Sequence, residues 1–232
     1  MTRFILCFIY DCVVKFFAQI AFFWWKNSGI STIYIMYMAG IDENIVREYF
    51  EINGFLVRQF YKYQVQSRKK RADEEIDLVV YNPNCSDAGQ NDIGFVLSAQ
   101  DISKIRQAVV SVKGWHTSTF SAAILNSSDE IFKFLQKNAL KRVESMFQQG
   151  GKVFKILAIP SLPKNRSERQ KSVNLLKSKG VDGILTYPHM LRNIADSIEV
   201  NNNYVKSDLL QTIRILKNYN MLRLPQMELF DR

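Results

Sequence analysis

A chain of 232 residues with 47% hydrophobic side chains can bury one good core with appendages, and its composition does not divide it into two large domains. A formal net charge of +9 points to an anionic partner, nucleic acid first and an anionic membrane surface second. Cys7, Cys12 and Cys85 form no CxxC pair and there are two histidines, so a zinc cluster is not expected and a reducing, cytoplasmic compartment fits best; without a Gly-rich phosphate loop, a G-x-S-x-G elbow or a dinucleotide fingerprint, neither is nucleotide-driven chemistry.

Phe4 to Trp25 is an apolar, aromatic run about as long as a membrane-spanning helix requires. Asp11 and Lys15 interrupt it mid-segment, each costing about 2.5 to 3.5 kcal/mol at a membrane centre. With Gln19 they form a polar stripe at helical spacing. A small-x-small cleavage site is missing, so a cleavable signal peptide fits poorly. Three readings stand for residues 1–37: a signal anchor, a helix docked on the domain, or residues that precede a true start at Met36 or Met38. The last is preferred, because an amphipathic helix follows Met38-Ala-Gly directly, and a membrane is not an expected partner.

Ile41 to Lys62 reads as that helix, a stop at Gly54 and a strand. The basic patch Arg68, Lys69, Lys70 and Arg71 then precedes the acidic strand Glu74-Glu-Ile-Asp-Leu-Val-Val80. Period-2 alternation puts Glu75 and Asp77 on one face of that strand. Asn82 to Gln100, rich in Asn, Asp, Gly, Ser and Pro, is a loop; Ser98-Ala-Gln-Asp101 is a capping box for a short helix leading into the strand Val109 to Lys113. There Ser111 and Lys113 share a face, so pairing of the two strands brings carboxylates and an ammonium to one spot. That pattern suits a cross-strand ion pair. It equally suits a site for a divalent cation, with hard oxygen ligands and a positive charge for a phosphate. Trp115 can stack on a base or sugar and His116 is a candidate nucleic-acid contact beside it, although a tryptophan after a strand also serves as a core lid and a histidine there as an ordinary surface group.

Ser127-Ser-Asp-Glu130 reads as a capping box for a long helix to about Phe147, ended by Gly150-Gly151. Val153 to Pro160 and Val181 to Tyr187 are apolar strands separated by a helix that starts near Ser167 and closes at Gly180. The loop between them, with Lys164 and Arg166, is a second basic patch suited to phosphate contacts. Beyond Pro188 come a helix through Ile198, an Asn-rich turn at Asn201 to Asn203 and a helix from Ser207 to about Tyr219. Alternating helices and strands predict an α/β fold over residues 38–222, with 223–232 as a tail.

Helix-borne Glu43, then Glu75-Ile-Asp77, then a strand ending in Lys113 resembles the PD-(D/E)xK nuclease superfamily, of the restriction-endonuclease and Holliday-junction-resolvase type, over about Ile41 to Pro188. The resemblance implies a restriction-endonuclease-like core with a central mixed sheet flanked by helices. It further implies Asp77, Lys113 and Glu43 as catalytic residues, Mg²⁺ or Mn²⁺ as cofactor, DNA as partner, possible homodimerisation, and a role in repair, recombination or restriction. One departure stands out. Ser111 occupies the position where the family usually carries Asp or Glu, a neutral and weaker ligand for a hard cation. Either the carboxylate has moved, with Glu75 the candidate, or the protein binds nucleic acid without cutting it; on the first alternative Asp77, Glu75, Ser111 and the Val112 carbonyl are the metal-ligand candidates. The tail sequence Gln226-Met227-Glu228-Leu229-Phe230 resembles the pentapeptide by which bacterial replication and repair proteins bind the sliding clamp, and implies a clamp contact through Gln226, Met227, Leu229 and Phe230.

Overall fold

The computed structural model describes residues 30–60, 75–85, 93–147 and 151–222, with side chains from residue 40 onward. The Phe4–Trp25 run, the basic patch Arg68 to Arg71 and the tail with Gln226, Met227, Leu229 and Phe230 lie outside the described residues. The chain divides into two compact units, Met1–Ile41 and Asp42–Arg232, and the second carries the whole sheet. Among the described residues no helix is long and apolar enough to cross a membrane.

Helix α1 spans Ile30–Ile52, so Met38 lies within a helix rather than ahead of one. In the Asp42–Arg232 unit Ile45, Val46, Tyr49 and Phe50 are buried, the i, i+1, i+4, i+5 stripe of an amphipathic helix. The helix stops where Gly54 adopts φ 84°, with Gly54 N bonded to Glu51 O and Phe55 N to Phe50 O, both at 3.0 Å. Only a residue without Cβ enters that left-handed turn cheaply, so Gly54 is the stop that the pattern requires.

Five strands follow: β1 (Leu56–Gln59), β2 (Leu78–Tyr81), β3 (Gln107–Val112), β4 (Phe154–Ile159) and β5 (Gly183–Thr186). They lie in the order β1-β2-β3-β4-β5. The first three form an antiparallel meander, and β3, β4 and β5 run parallel. The sheet is therefore mixed, flanked by helices, in an α/β chain.

Alternation along each strand divides the core in two. Leu78, Val80, Ala108, Val110, Ile156 and Ala158 pack with α1 and with α6 (Tyr187–Ser197) and α7 (Asp208–Asn218). Val79, Val109, Leu157 and Ile159 face the other way, onto Phe120, Leu125, Ile131, Phe134, Val143 and Leu176. Both faces being covered, β2 to β4 read as near-continuous apolar runs rather than as alternating ones.

The expected long helix from Ser127 to Phe147 is not one helix. Ala122–Ser127 forms α3, Asp129–Leu135 is a 3₁₀ turn, and Lys137–Glu144 forms α4. Ser128 makes no side-chain cap, and Gln136 sits in extended backbone at φ −64° and ψ 139°. Ile131 and Phe134 bury at the three-residue repeat of a 3₁₀ turn, and Gln136 resets the phase so that Ala139 and Val143 bury next. Burial of these four side chains outweighs a capping box worth about 1 kcal/mol. Helix α5 (Arg166–Ser178) is capped by Asn165, which accepts from Ser167 N and Glu168 N, and the chain leaves it through Gly180 at φ 94°. Helix α6 begins at Tyr187, with Pro188 in its first turn, one step earlier than expected.

The short helix α2 (Ala99–Ser103) carries the expected capping box: Ser98 Oγ accepts from Asp101 N at 3.2 Å, and the Asp101 carboxylate accepts from Ser98 N at 2.9 Å. Burial pushes the Asp101 carboxyl up, but hydrogen bonds from the Ser98 hydroxyl and from the Ser98 and Gly94 amides, with the Lys104 charge, bring it below its usual value. A depressed folded value means stability present above the unfolded carboxyl value and lost as pH falls through the folded one. Ser98→Ala should therefore cost about 1 kcal/mol at neutral pH. The Asp101→Asn deficit, measured by urea unfolding, should be full at pH 7 and shrink as acid protonates Asp101.

Candidate functional site

The topology gathers several strand ends at one edge. Because β2 is antiparallel to both neighbours and β3, β4 and β5 are parallel, the end of β1, the start of β2 and the ends of β3, β4 and β5 lie on the same side of the sheet. Gln59, Glu75 with Asp77, Lys113, the Ser161–Arg166 loop and Tyr187 all fall there. The carboxyl ends of parallel strands are where open α/β sheets form their sites, since helices cover the faces and leave that rim open.

The register decides what meets at this edge. Leu78 pairs with Val110, which carries Asp77 across from Ser111 and Glu75 across from Lys113 as the two strands run on. Lys113 Nζ stands 2.8 Å from Glu75 Oε2, with both side chains only 9% exposed. Asp77 Oδ2 accepts from Val112 N at 2.6 Å, so a side chain supplies the partner for that amide. The Ser111 side chain is fully buried and its Oγ has no hydrogen-bond partner among the described residues.

Helix α1 brings two carboxylates to the same edge. Glu43 is half-buried, with Gln59 Nε2 at 3.4 Å from its Oε2. Asp42 is buried and its Oδ1 lies 2.7 Å from His116 Nε2. The Asp42 carboxylate sits against the Gly114 Cα so closely that a Cβ there would fall inside it. Burial raises the Tyr187 phenol far above its usual range, and the charges of Asp42, Asp77 and Glu43 raise it further. Its hydroxyl faces Asp42 without completing a well-formed hydrogen bond.

Around this cluster the edge is half apolar and half basic. Trp115 is half-buried and stacked on Phe120, ring centroids 5.5 Å apart at 26°, so one of its faces serves the core. Lys164 and Arg166 are exposed where the chain enters α5.

Of the residues singled out by sequence, Glu75 and Lys113 meet directly, Asp77 holds the backbone beside them, and Glu43 comes to the same rim on α1. Among the described residues no three His, Cys, Asp or Glu side chains stand close enough to share a metal ion. A hard cation at this rim would take one or two carboxylates and complete its shell with water and substrate oxygens, as Mg²⁺ commonly does.

Asp42 and Tyr187 were not expected. Asp42 had a signal in Gly114, a residue without Cβ between a charged strand end and Trp115-His116. Tyr187 had none, since it reads as the apolar end of a strand.

A buried pair of this kind is unforgiving of half-removal, because the surviving charge is left in a low-dielectric site. Lys113→Ala should destabilise the protein by about 3 to 5 kcal/mol, and Lys113→Met with Glu75→Leu should recover most of that loss. Urea unfolding of the three proteins measures it; equal losses in single and double variants would mean that the two charges are not coupled. No family model, curated protein or solved structure matches the chain.

Proposed function

We propose that this chain is a divalent-metal-dependent endonuclease or resolvase of the PD-(D/E)xK type, with a restriction-endonuclease-like core, acting on DNA phosphodiester bonds in repair, recombination or restriction. The observation that carries the reading is the convergence of Asp77, the Glu75–Lys113 pair and helix-borne Glu43 at one rim of a mixed sheet. A net charge of +9 and exposed Lys164 and Arg166 at the same rim suit a polyanionic substrate.

The roles follow from the chemistry of each group. Asp77 with Glu75 or Glu43 would hold Mg²⁺ or Mn²⁺, with the Val112 carbonyl and the Ser111 hydroxyl as the remaining oxygens at the rim. The ion, when bound, supplies charge neutralisation and Lewis acidity at the phosphate. Glu75 Oε2 accepts one N–H of the Lys113 ammonium, a group with three donors, so the same lysine can orient a water or meet the charge that grows on the phosphate oxygens. Water gives up a proton as its oxygen attacks phosphorus, the bond to the leaving oxygen breaks, and that oxygen takes up a proton, so that none is gained or lost overall. Asp77, which accepts from Val112 N, is held against the strand that carries Lys113, which fixes the carboxylate and the ammonium relative to each other.

A second reading has an observation of its own. Ser111 is buried where the family carries an acid, and Lys113 is tied to Glu75, the arrangement of a nuclease fold that binds nucleic acid or scaffolds other proteins without cutting.

A nicking assay on duplex, flapped and branched DNA separates the two. Cleavage should need Mg²⁺ or Mn²⁺, stop in excess chelator, and vanish in Asp77→Asn with DNA binding kept. Binding without cleavage in any metal would leave the second reading standing, and cleavage that survives chelation would sink the first.

The tail extends the reading to a partner and to repair of newly made DNA. A glutamine amide that hydrogen-bonds and adjacent Leu229 and Phe230 that fill an apolar pocket make a short anchor, each buried side chain contributing about 1.5 to 3 kcal/mol. Calorimetry against a bacterial sliding clamp should give a dissociation constant on the order of micromolar, lost in the Leu229→Ala, Phe230→Ala double variant. The melting temperature should not move; a large drop would make these side chains part of the core instead.

A further inference from the structure

His116 leaves β3 on a loop that is fixed from several directions. Lys113 N donates to Ala158 O at 2.9 Å, Trp115 packs on Phe120, and His116 N donates to Gly114 O at 2.8 Å. From α1 the buried Asp42 closes on the loop, its carboxylate against Gly114 and 2.7 Å from His116 Nε2. From the β5–α6 junction the Tyr187 ring meets the imidazole edge-on, with centroids 4.6 Å apart at 81°. The His116 side chain nevertheless remains 41% exposed.

An ionised carboxylate only accepts hydrogen bonds, so Nε2 must carry a proton toward Asp42 and the imidazole presents Nδ1 away from it. Holding an exposed imidazole in this way uses a buried charge and a glycine, which a merely solvated histidine does not need.

We propose that Asp42 is a positioning residue that presents His116 Nδ1 to a phosphate oxyanion of the nucleic-acid backbone, beside Lys113 on the same rim. The proposal rests on the reading of that rim as a nucleic-acid site. With a proton on each ring nitrogen, one N–H goes to Asp42 and the other to a phosphate oxygen, the charge-assisted contact that fixes a strand without reading its sequence. Gly114 is required because any side chain there would displace the carboxylate.

The chain has two histidines, so [¹⁵N]histidine-labelled protein and its His116→Gln variant assign the ring signals by subtraction. At pH 6, in chelator to prevent cleavage, the wild type is titrated with inorganic phosphate and with a short DNA duplex, while anisotropy reports duplex binding. In the neutral ring, at raised pH, the proton should sit on Nε2 toward Asp42, and at pH 6 both additions should shift the Nδ1 signal. His116→Gln should weaken duplex binding about tenfold, the size of one charge-assisted hydrogen bond. Asp42→Asn should loosen the tautomer preference of the neutral ring and, at pH 6, weaken duplex binding in the same direction, without the ring shift on adding phosphate. Duplex binding that leaves the His116 signals unmoved, or full affinity in His116→Gln, overturns the proposal and leaves the nuclease reading intact. A response to phosphate with no binding of duplex keeps the anion site and removes the nucleic-acid reading. No response to either probe removes both.

Discussion

A buried ammonium and a buried carboxylate, Lys113 and Glu75, fix how β2 and β3 meet at the rim of the sheet. Both faces of these strands are packed, so slipping one strand by a single residue would turn every apolar side chain to the wrong face. The same slip would leave two charges unpaired in a site with little water, at a cost of several kcal/mol. Asp77 reinforces the register by accepting from Val112 N, so two consecutive positions, Val112 and Lys113, are held by side chains of the neighbouring segment. The rim is thus rigid for the same reason that it is polar.

The rest of the rim is less well satisfied, and the pattern is informative. Among the described residues the buried Ser111 hydroxyl has no hydrogen-bond partner, which costs about 1 to 3 kcal/mol relative to a satisfied group. The carboxylates of Asp42, Asp77 and Glu43 all act on the one Tyr187 phenol. A chain selected only for stability would place apolar groups here, as it does a few residues inward, where Val109, Val110 and Ile156 are fully buried.

The two functional readings differ in how the Glu75–Lys113 pair is viewed. In a cutting enzyme the pair stores the lysine in a fixed place and leaves further donors for the phosphate. In a binding protein it neutralises a charge that no longer has a task, and Ser111 is the vestige of a lost ligand. The Asp42–His116 pair serves either reading, since a held imidazole at the rim helps to bind a phosphate whether or not the phosphodiester is then broken.

Local sequence chemistry was enough for the elements whose ends depend on one or two residues. Gly54 and Gly180 at positive φ stop α1 and follow α5, Ser98 with Asp101 starts α2, and the β-branched runs form the buried strands. The meeting of Glu75 with Lys113 was also legible, because strand period puts each charge on a known face and pairing does the rest. The stretch from Ser127 to Phe147 was not, since its breaks are set by which side chains the sheet can bury rather than by a capping motif. Asp42 reaching Gly114 and His116, and Tyr187 lying among three carboxylates, could be decided only by tertiary structure. These contacts join α1, the loop after β3 and the start of α6, segments whose neighbourhood is set by sheet order and by packing on one face. No spacing along the chain encodes that neighbourhood.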